Sequence, residues 1–107
     1  PVVYFDKIRD MSTGSILHMG IVSGLDLIRR RNLLVVDDIC DGGATFKMIA
    51  NSISNLDVIK PKSLSLYVTH GIFSKGTDEL LEDYSNIITT DSFYRGLESD
   101  KIKVINL

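Results

Sequence analysis

One stretch constrains this chain more than any other. Leu33-Leu34-Val35-Val36, four apolar residues without a break, runs straight into Asp37-Asp38-Ile39-Cys40-Asp41-Gly42-Gly43-Ala44-Thr45. A short continuous apolar run is the pattern of a strand buried on both faces, as in a parallel sheet. Parallel neighbours cannot be joined by a tight hairpin; they need a crossover, usually a helix. Helical periodicity begins just beyond the glycines, where Phe46, Ile49, Ala50 and Ile53 fall at i, i+3, i+4 and i+7 on one apolar face. The stretch therefore predicts a strand ending at Val36, a polar turn and the first crossover helix of a βαβ unit.

The remaining patterns extend that unit. Ser63 to Thr69 alternates with period two, as a strand does, and ends in His70-Gly71. Thr77 to Tyr84 predicts a short helix with Asp78 and Glu79 in its first turn, where the helix dipole favours acids, and Leu80, Leu81 and Tyr84 on its buried face. Residues 87–89 and 102–105 read as two further strands. Upstream, residues 2–5 and 15–23 look extended around a polar break from Asp10 to Gly14, which predicts a hairpin. The alternation of strand and helix predicts the α/β class, a mostly parallel sheet flanked by helices with right-handed crossovers.

Bulk properties narrow the function classes. The 107 residues are the size of one domain, spanning 1–107, with the 44% hydrophobic and 24% charged balance of a soluble globular protein. A net charge of −2 gives no basic footprint for nucleic acid. Apolar runs of four or five residues fall far short of a membrane-spanning helix. The single cysteine, Cys40, rules out an internal disulfide and a multi-cysteine zinc site, and it suits a reducing cytoplasm. The opening Pro1-Val2-Val3-Tyr4-Phe5 reads as the inside of a strand and lacks an initiator Met, the pattern of a piece of a longer chain.

The acidic, glycine-rich turn carries the chemistry. Gly42 and Gly43 let the backbone approach an anion closely. Amides at the following helix start, reinforced by the dipole, bind phosphate. The Thr45 hydroxyl can donate to a phosphate oxygen. Asp37 and Asp38 can accept hydrogen bonds from a vicinal diol or face a hard metal ion. A phosphate cradle beside a diol reader describes a ribose 5-phosphate site. Asp and Gly after a strand also serve as a plain turn and helix cap, and the loop is no Walker motif, since no Lys-Ser/Thr follows the glycines.

Val35 to Thr45 resembles the phosphoribosyl-diphosphate fingerprint shared by type I phosphoribosyltransferases and ribose-phosphate pyrophosphokinases. The resemblance implies a type I phosphoribosyltransferase-like fold. It assigns Asp37 and Asp38 to the ribose hydroxyls, and Asp41, Gly42, Gly43, Ala44 and Thr45 to the 5-phosphate. The chain departs from the fingerprint at two positions, with Gly42 where Thr is usual and Ala44 where Gly is usual, so one hydroxyl donor is lost. Tyr67-Val68-Thr69-His70-Gly71-Ile72-Phe73-Ser74-Lys75-Gly76 resembles the Thr-His-Gly-x-Phe-Ser segment of the pyrophosphokinases, which transferases usually lack. Phe5-Asp6-Lys7-Ile8-Arg9-Asp10 is similar to their flexible catalytic loop, which makes Lys7 and Arg9 the expected catalytic residues.

The pyrophosphokinase resemblance implies transfer of diphosphate from ATP to ribose 5-phosphate, giving phosphoribosyl diphosphate and AMP. It also implies Mg2+, for which Asp37 and Asp38 are the candidate ligands, and a homo-oligomer in the cytoplasm. In that family a preceding half-domain supplies much of the nucleotide site. The chain is therefore expected to be the C-terminal half of a longer enzyme and to turn over little alone. The alternatives are a phosphoribosyltransferase that attaches a base to the ribose, and a non-catalytic sugar-phosphate-binding module. Arg29-Arg30-Arg31 reads as a solvated turn, Cys40 as a small buried filler and His18 as structural; Asp91, Ser92, Tyr94 and Arg95 carry a weak site signal.

Overall fold

The computed structural model describes residues 2, 4–13, 16–23, 28–54, 61–94, 96 and 99–107, with 4–9 and 16–23 described by their main chain. In chain order the elements are β1 (Tyr4–Arg9), β2 (Ile16–Ser23), β3 (Asn32–Cys40), α1 (Ala44–Ser54), β4 (Ser63–Gly71), α2 (Asp78–Asp83), β5 (Asn86–Thr90) and β6 (Ile102–Ile105). β1 and β2 pair antiparallel as a separate hairpin; β3, β4, β5 and β6 form a parallel sheet in that spatial order. The predicted α/β architecture is therefore the observed one.

A sheet whose strands follow in sequence order, with right-handed crossovers, receives its helices on one side. α1 and α2 accordingly share one core. α1 buries Phe46, Ile49, Ala50 and Ile53, the predicted face, against Leu64, Leu66 and Val68 of β4 and Ile87 of β5. α2 adds Leu80, and Tyr84 follows it, both buried in the same cluster. Lys47 of α1 ties the helices together: its ammonium donates to the Glu79 carbonyl at 2.7 Å and pairs with Asp83 at 2.8 Å and Glu82 at 3.5 Å. These partners, Asp83 foremost, raise the Lys47 pKa.

Three expectations are corrected. β3 is not buried on both faces. It is an edge strand of the four-stranded sheet, and Leu34 and Val36 are 55% and 63% exposed while Leu33 and Val35 pack against the core. An apolar run reads the same whether one or both faces are covered; only the neighbouring strands decide. β3 also does not end at Val36. It continues to Cys40 because Asp37 pairs with Val68, Ile39 with His70 and Cys40 with Gly71. Cross-strand pairing outweighs the low strand propensity of aspartate. Finally, the extended segment upstream runs from Tyr4 to Arg9, so Lys7 and Arg9 lie in a paired strand, opposite Met19 and Ile16, rather than in a loop.

The polar break between β1 and β2 is a side-chain-capped turn. The Asp10 carboxylate accepts from the Ser12 amide at 2.8 Å, the Ser12 hydroxyl at 2.6 Å and the Thr13 amide at 3.3 Å. This is the mimicry by which Asp closes turns, and these donors, the Ser12 hydroxyl first, lower its pKa. Gly14 lies outside the described residues, as does Arg95. Among the described residues no helix is long and apolar enough to cross a membrane.

Candidate phosphate-binding site

The site grows from the end of β3. Cys40 is buried, 1% exposed, and its carbonyl accepts from the amides of Ile72 and Phe73 at 2.9 and 3.1 Å. The Asp41 carbonyl accepts from the Ser74 amide at 3.1 Å. The loop after β3 is thus bound through main-chain bonds to the segment after β4, the two stretches that the sequence singled out separately.

Gly43 then turns the chain into α1. Its φ is +87°, a backbone conformation that favours glycine. It is also buried, and a Cβ there would stand 3.4 Å from a δ-carbon of Leu80. Its carbonyl accepts the first helical bond, from the Lys47 amide at 3.0 Å. Gly43 is therefore the N-cap, and the amides of Ala44, Thr45 and Phe46 precede the first intrahelical bond. No acidic residue occupies the first turn of α1. The positive end of the helix is thus not met by an acid within its own first turn, and exposed Asp41, Gly42 and Ala44 and half-buried Thr45 lie beside it.

Asp37 and Asp38 are both exposed, and the Asp37 carboxylate accepts from the Asp38 amide at 2.8 Å. Consecutive residues of a strand project to opposite faces, so the pair straddles the edge of β3 rather than forming one parallel clamp. Among the described residues no three His, Cys, Asp or Glu side chains gather as a metal site. The two carboxylates nevertheless suit Mg2+, which takes one or two such oxygens and completes its shell with substrate phosphates and water.

The Cys40 environment favours the protonated thiol. Burial, then the negative charges of Asp41 and Asp37, push its thiol pKa up to about 11, the reverse of an activated cysteine. It is the buried filler expected. His70 and Ser92, at the ends of β4 and β5, come together, with His70 Nδ1 2.8 Å from the Ser92 hydroxyl oxygen. Ser92 and Thr90 both donate to the Thr69 carbonyl, at 3.0 and 2.7 Å. A Cβ on Gly71 would meet the Phe73 ring and stand 2.8 Å from the Thr89 hydroxyl, so the strand end tolerates only glycine there. Arg29 and Arg30 are exposed in a turn, as anticipated.

Two site features were missed by sequence reasoning. One is the His70–Ser92 contact. The other is Lys75, whose Cδ and Cε lie 3.9 and 3.8 Å from where a Cβ on Gly42 would be. Lys75 lies within the Tyr67–Gly76 stretch that the sequence singled out, which was the available signal, but its role there was not read. Lys7 and Arg9 are placed by their main chain only, in a hairpin whose second strand, β2, contacts α1.

No protein-family model matches the chain. A ribose-phosphate pyrophosphokinase of Mycoplasmopsis pulmonis is 32% identical over 112 aligned positions, which cover 99% of this chain and 32% of that protein. A ribose-phosphate pyrophosphokinase of Hyphomonas neptunium is 31% identical over 83 positions, 73% of this chain and 26% of that one. The solved phosphoribosylpyrophosphate synthetase of Mycobacterium smegmatis shares the fold, with a TM-score of 0.69 at 20% identity over 99% of this chain and 32% of its own. The chain spans about a third of the length of these proteins. The chain is thus similar by sequence along its length to ribose-phosphate pyrophosphokinases, shares the fold of a solved one, and corresponds to a segment of about one third of their length.

Proposed function

We propose that this domain holds ribose 5-phosphate for the transfer of diphosphate from ATP, as one part of a longer enzyme. The observation that carries the reading is the Gly43-capped start of α1, directly after the strand that bears Asp37 and Asp38. The 5-phosphate lies on the amides of Gly42 to Thr45 and the Thr45 hydroxyl. The carboxylates of Asp37 and Asp38, on either side of the strand end, accept from ribose hydroxyls. The ring is thereby anchored at both ends, and its anomeric hydroxyl is held for attack on the β-phosphorus of ATP. A new P–O bond forms there, the bond to the α-phosphate oxygen breaks, AMP leaves and the hydroxyl proton passes to solvent.

Such a transfer depends on positioning and on neutralising phosphate charge. Mg2+, held with Asp37 or Asp38 and the substrate phosphates, supplies part of that neutralisation when bound. Lys7 and Arg9 supply the rest. The site works within a homo-oligomer, a reading supported by the exposed apolar Leu34, Val36 and Ile39 on the edge strand. A free, buried cysteine suits the cytoplasm.

Calorimetric titration with ribose 5-phosphate tests the core of this reading. Wild-type chain should bind, and the Asp37→Ala/Asp38→Ala double variant should fold but lose measurable affinity. Equal affinity in the folded double variant would remove Asp37 and Asp38 from the site.

A further inference from the structure

The cradle is short of positive charge. Asp41 opens it, and Asp37 and Asp38 lie on the strand that leads into it; each carboxylate repels a phosphate. The one basic residue in the first turn of α1, Lys47, is committed elsewhere, to the Glu79 carbonyl and the Asp83 and Glu82 carboxylates. A helix N-terminus carries only about half a charge, so a side-chain cation beside it would strengthen the hold on a phosphate dianion.

Lys75 is placed to provide it. Its Cδ and Cε pack over the bare α-carbon of Gly42, and the ammonium lies one bond beyond Cε. The backbone under Lys75 is held to the cradle. Ile72 and Phe73 donate to the Cys40 carbonyl, Ser74 to the Asp41 carbonyl, and Gly76 closes the turn on the Phe73 carbonyl at 2.8 Å. Phe73 and Gly76 take positive φ values of 50° and 77° to make that turn. Lys75 is exposed, and among the described residues it forms no ion pair. A cation held over a glycine of an anion loop, with no partner of its own, has an anion as its natural counterpart.

We propose that Lys75 is a further phosphate-binding residue, whose ammonium pairs with the phosphate seated on the Gly42–Thr45 amides. The assignment rests on the ribose 5-phosphate reading above and adds a residue to it. A Cβ on Gly42 would be in ordinary contact with the lysine stem, and a larger side chain would displace it.

The test is calorimetry on the whole chain with ribose 5-phosphate, with inorganic phosphate and with unphosphorylated ribose. Lys75→Ala should weaken ribose 5-phosphate and inorganic phosphate by about tenfold to a hundredfold, as expected for loss of a charge-assisted bond. Lys75→Arg should keep most of the affinity. Raising salt should weaken binding less steeply in Lys75→Ala than in wild type, because one screened charge pair is gone. The thermal midpoint should not move, since the side chain is exposed. If wild type binds ribose 5-phosphate and Lys75→Ala binds it as tightly, with the same salt dependence, the Lys75 assignment is overturned while the site stands. If wild type binds none of the phosphates, the site reading fails and Lys75 with it. Weaker binding of unphosphorylated ribose by the same factor would also overturn the assignment, because it would place Lys75 at the sugar.

Discussion

The hydroxyl of Tyr84, just after α2, donates a 2.7 Å hydrogen bond to the main-chain carbonyl of Phe46 in the first turn of α1. Tyr84 is fully buried, and burial pushes its phenol pKa well above the ordinary value. The bond fastens α2 to the turn that begins at Gly43, so the second crossover braces the cradle of the first. Tyr84→Phe removes the donor and little volume. It should destabilise the fold by about 1 kcal/mol, the usual net value of a hydrogen bond, read as a lower urea midpoint with an unchanged slope.

Gly43→Ala should cost more and should also act on the site. Placing an L-residue at φ +87° costs about 1–2 kcal/mol, and the new methyl would press on Leu80. The backbone relaxes by moving the N-cap, which misaligns the amides of Ala44 and Thr45. The expected outcome is a lower denaturation midpoint together with weaker ribose 5-phosphate binding in calorimetry. Retention of both would show that the cap does not depend on glycine.

Cys40 sets a direction for stability against pH. Its folded pKa is about 11, above the ordinary 9.0. The unfolded thiol therefore loses its proton first as pH rises, while the folded one keeps it. Between about pH 9 and 11 the folded state binds more protons, so stability falls as pH rises and is fully present below pH 9. Tyr84, raised for the same reason, acts in the same direction. Urea midpoints at pH 8, 9 and 10 should decrease in order, and Cys40→Ala should flatten the first part of that decline. The thiol should also react with alkylating reagents at pH 8 only after unfolding.

Lys7 and Arg9 are expected to serve phosphoryl transfer rather than sugar binding. Charge on the transferring group is greatest in the transition state, so cations aimed at it raise turnover more than affinity. In the full-length enzyme, Lys7→Ala and Arg9→Ala should each lower kcat about a hundredfold or more, with ribose 5-phosphate affinity nearly unchanged. Steady-state AMP release on the two single variants measures this. Wild-type turnover in both would reduce the pair to a solvated charge cluster on β1.

What the sequence determined by itself was local. The face of α1 made by Phe46, Ile49, Ala50 and Ile53 was legible because helical periodicity is a property of neighbouring residues, and the observed burial matches it. The turn from strand to helix around Gly42 and Gly43 was legible because glycine and the following apolar period mark it. Tertiary structure decided what depends on distant partners. Leu34 and Val36 are exposed because β3 lies at the sheet edge, which no property of the run Leu33–Val36 encodes. Asp37 and Asp38 lie within the strand, on opposite faces, because the pairing of Asp37 with Val68 carries the ladder past Val36. Lys75 reaches Gly42, and His70 reaches Ser92, only because parallel strands bring their carboxyl ends to one edge of the sheet. A crossover separates such residues widely along the chain, so their contact is fixed by strand order and register, which arise from the packing of the whole domain.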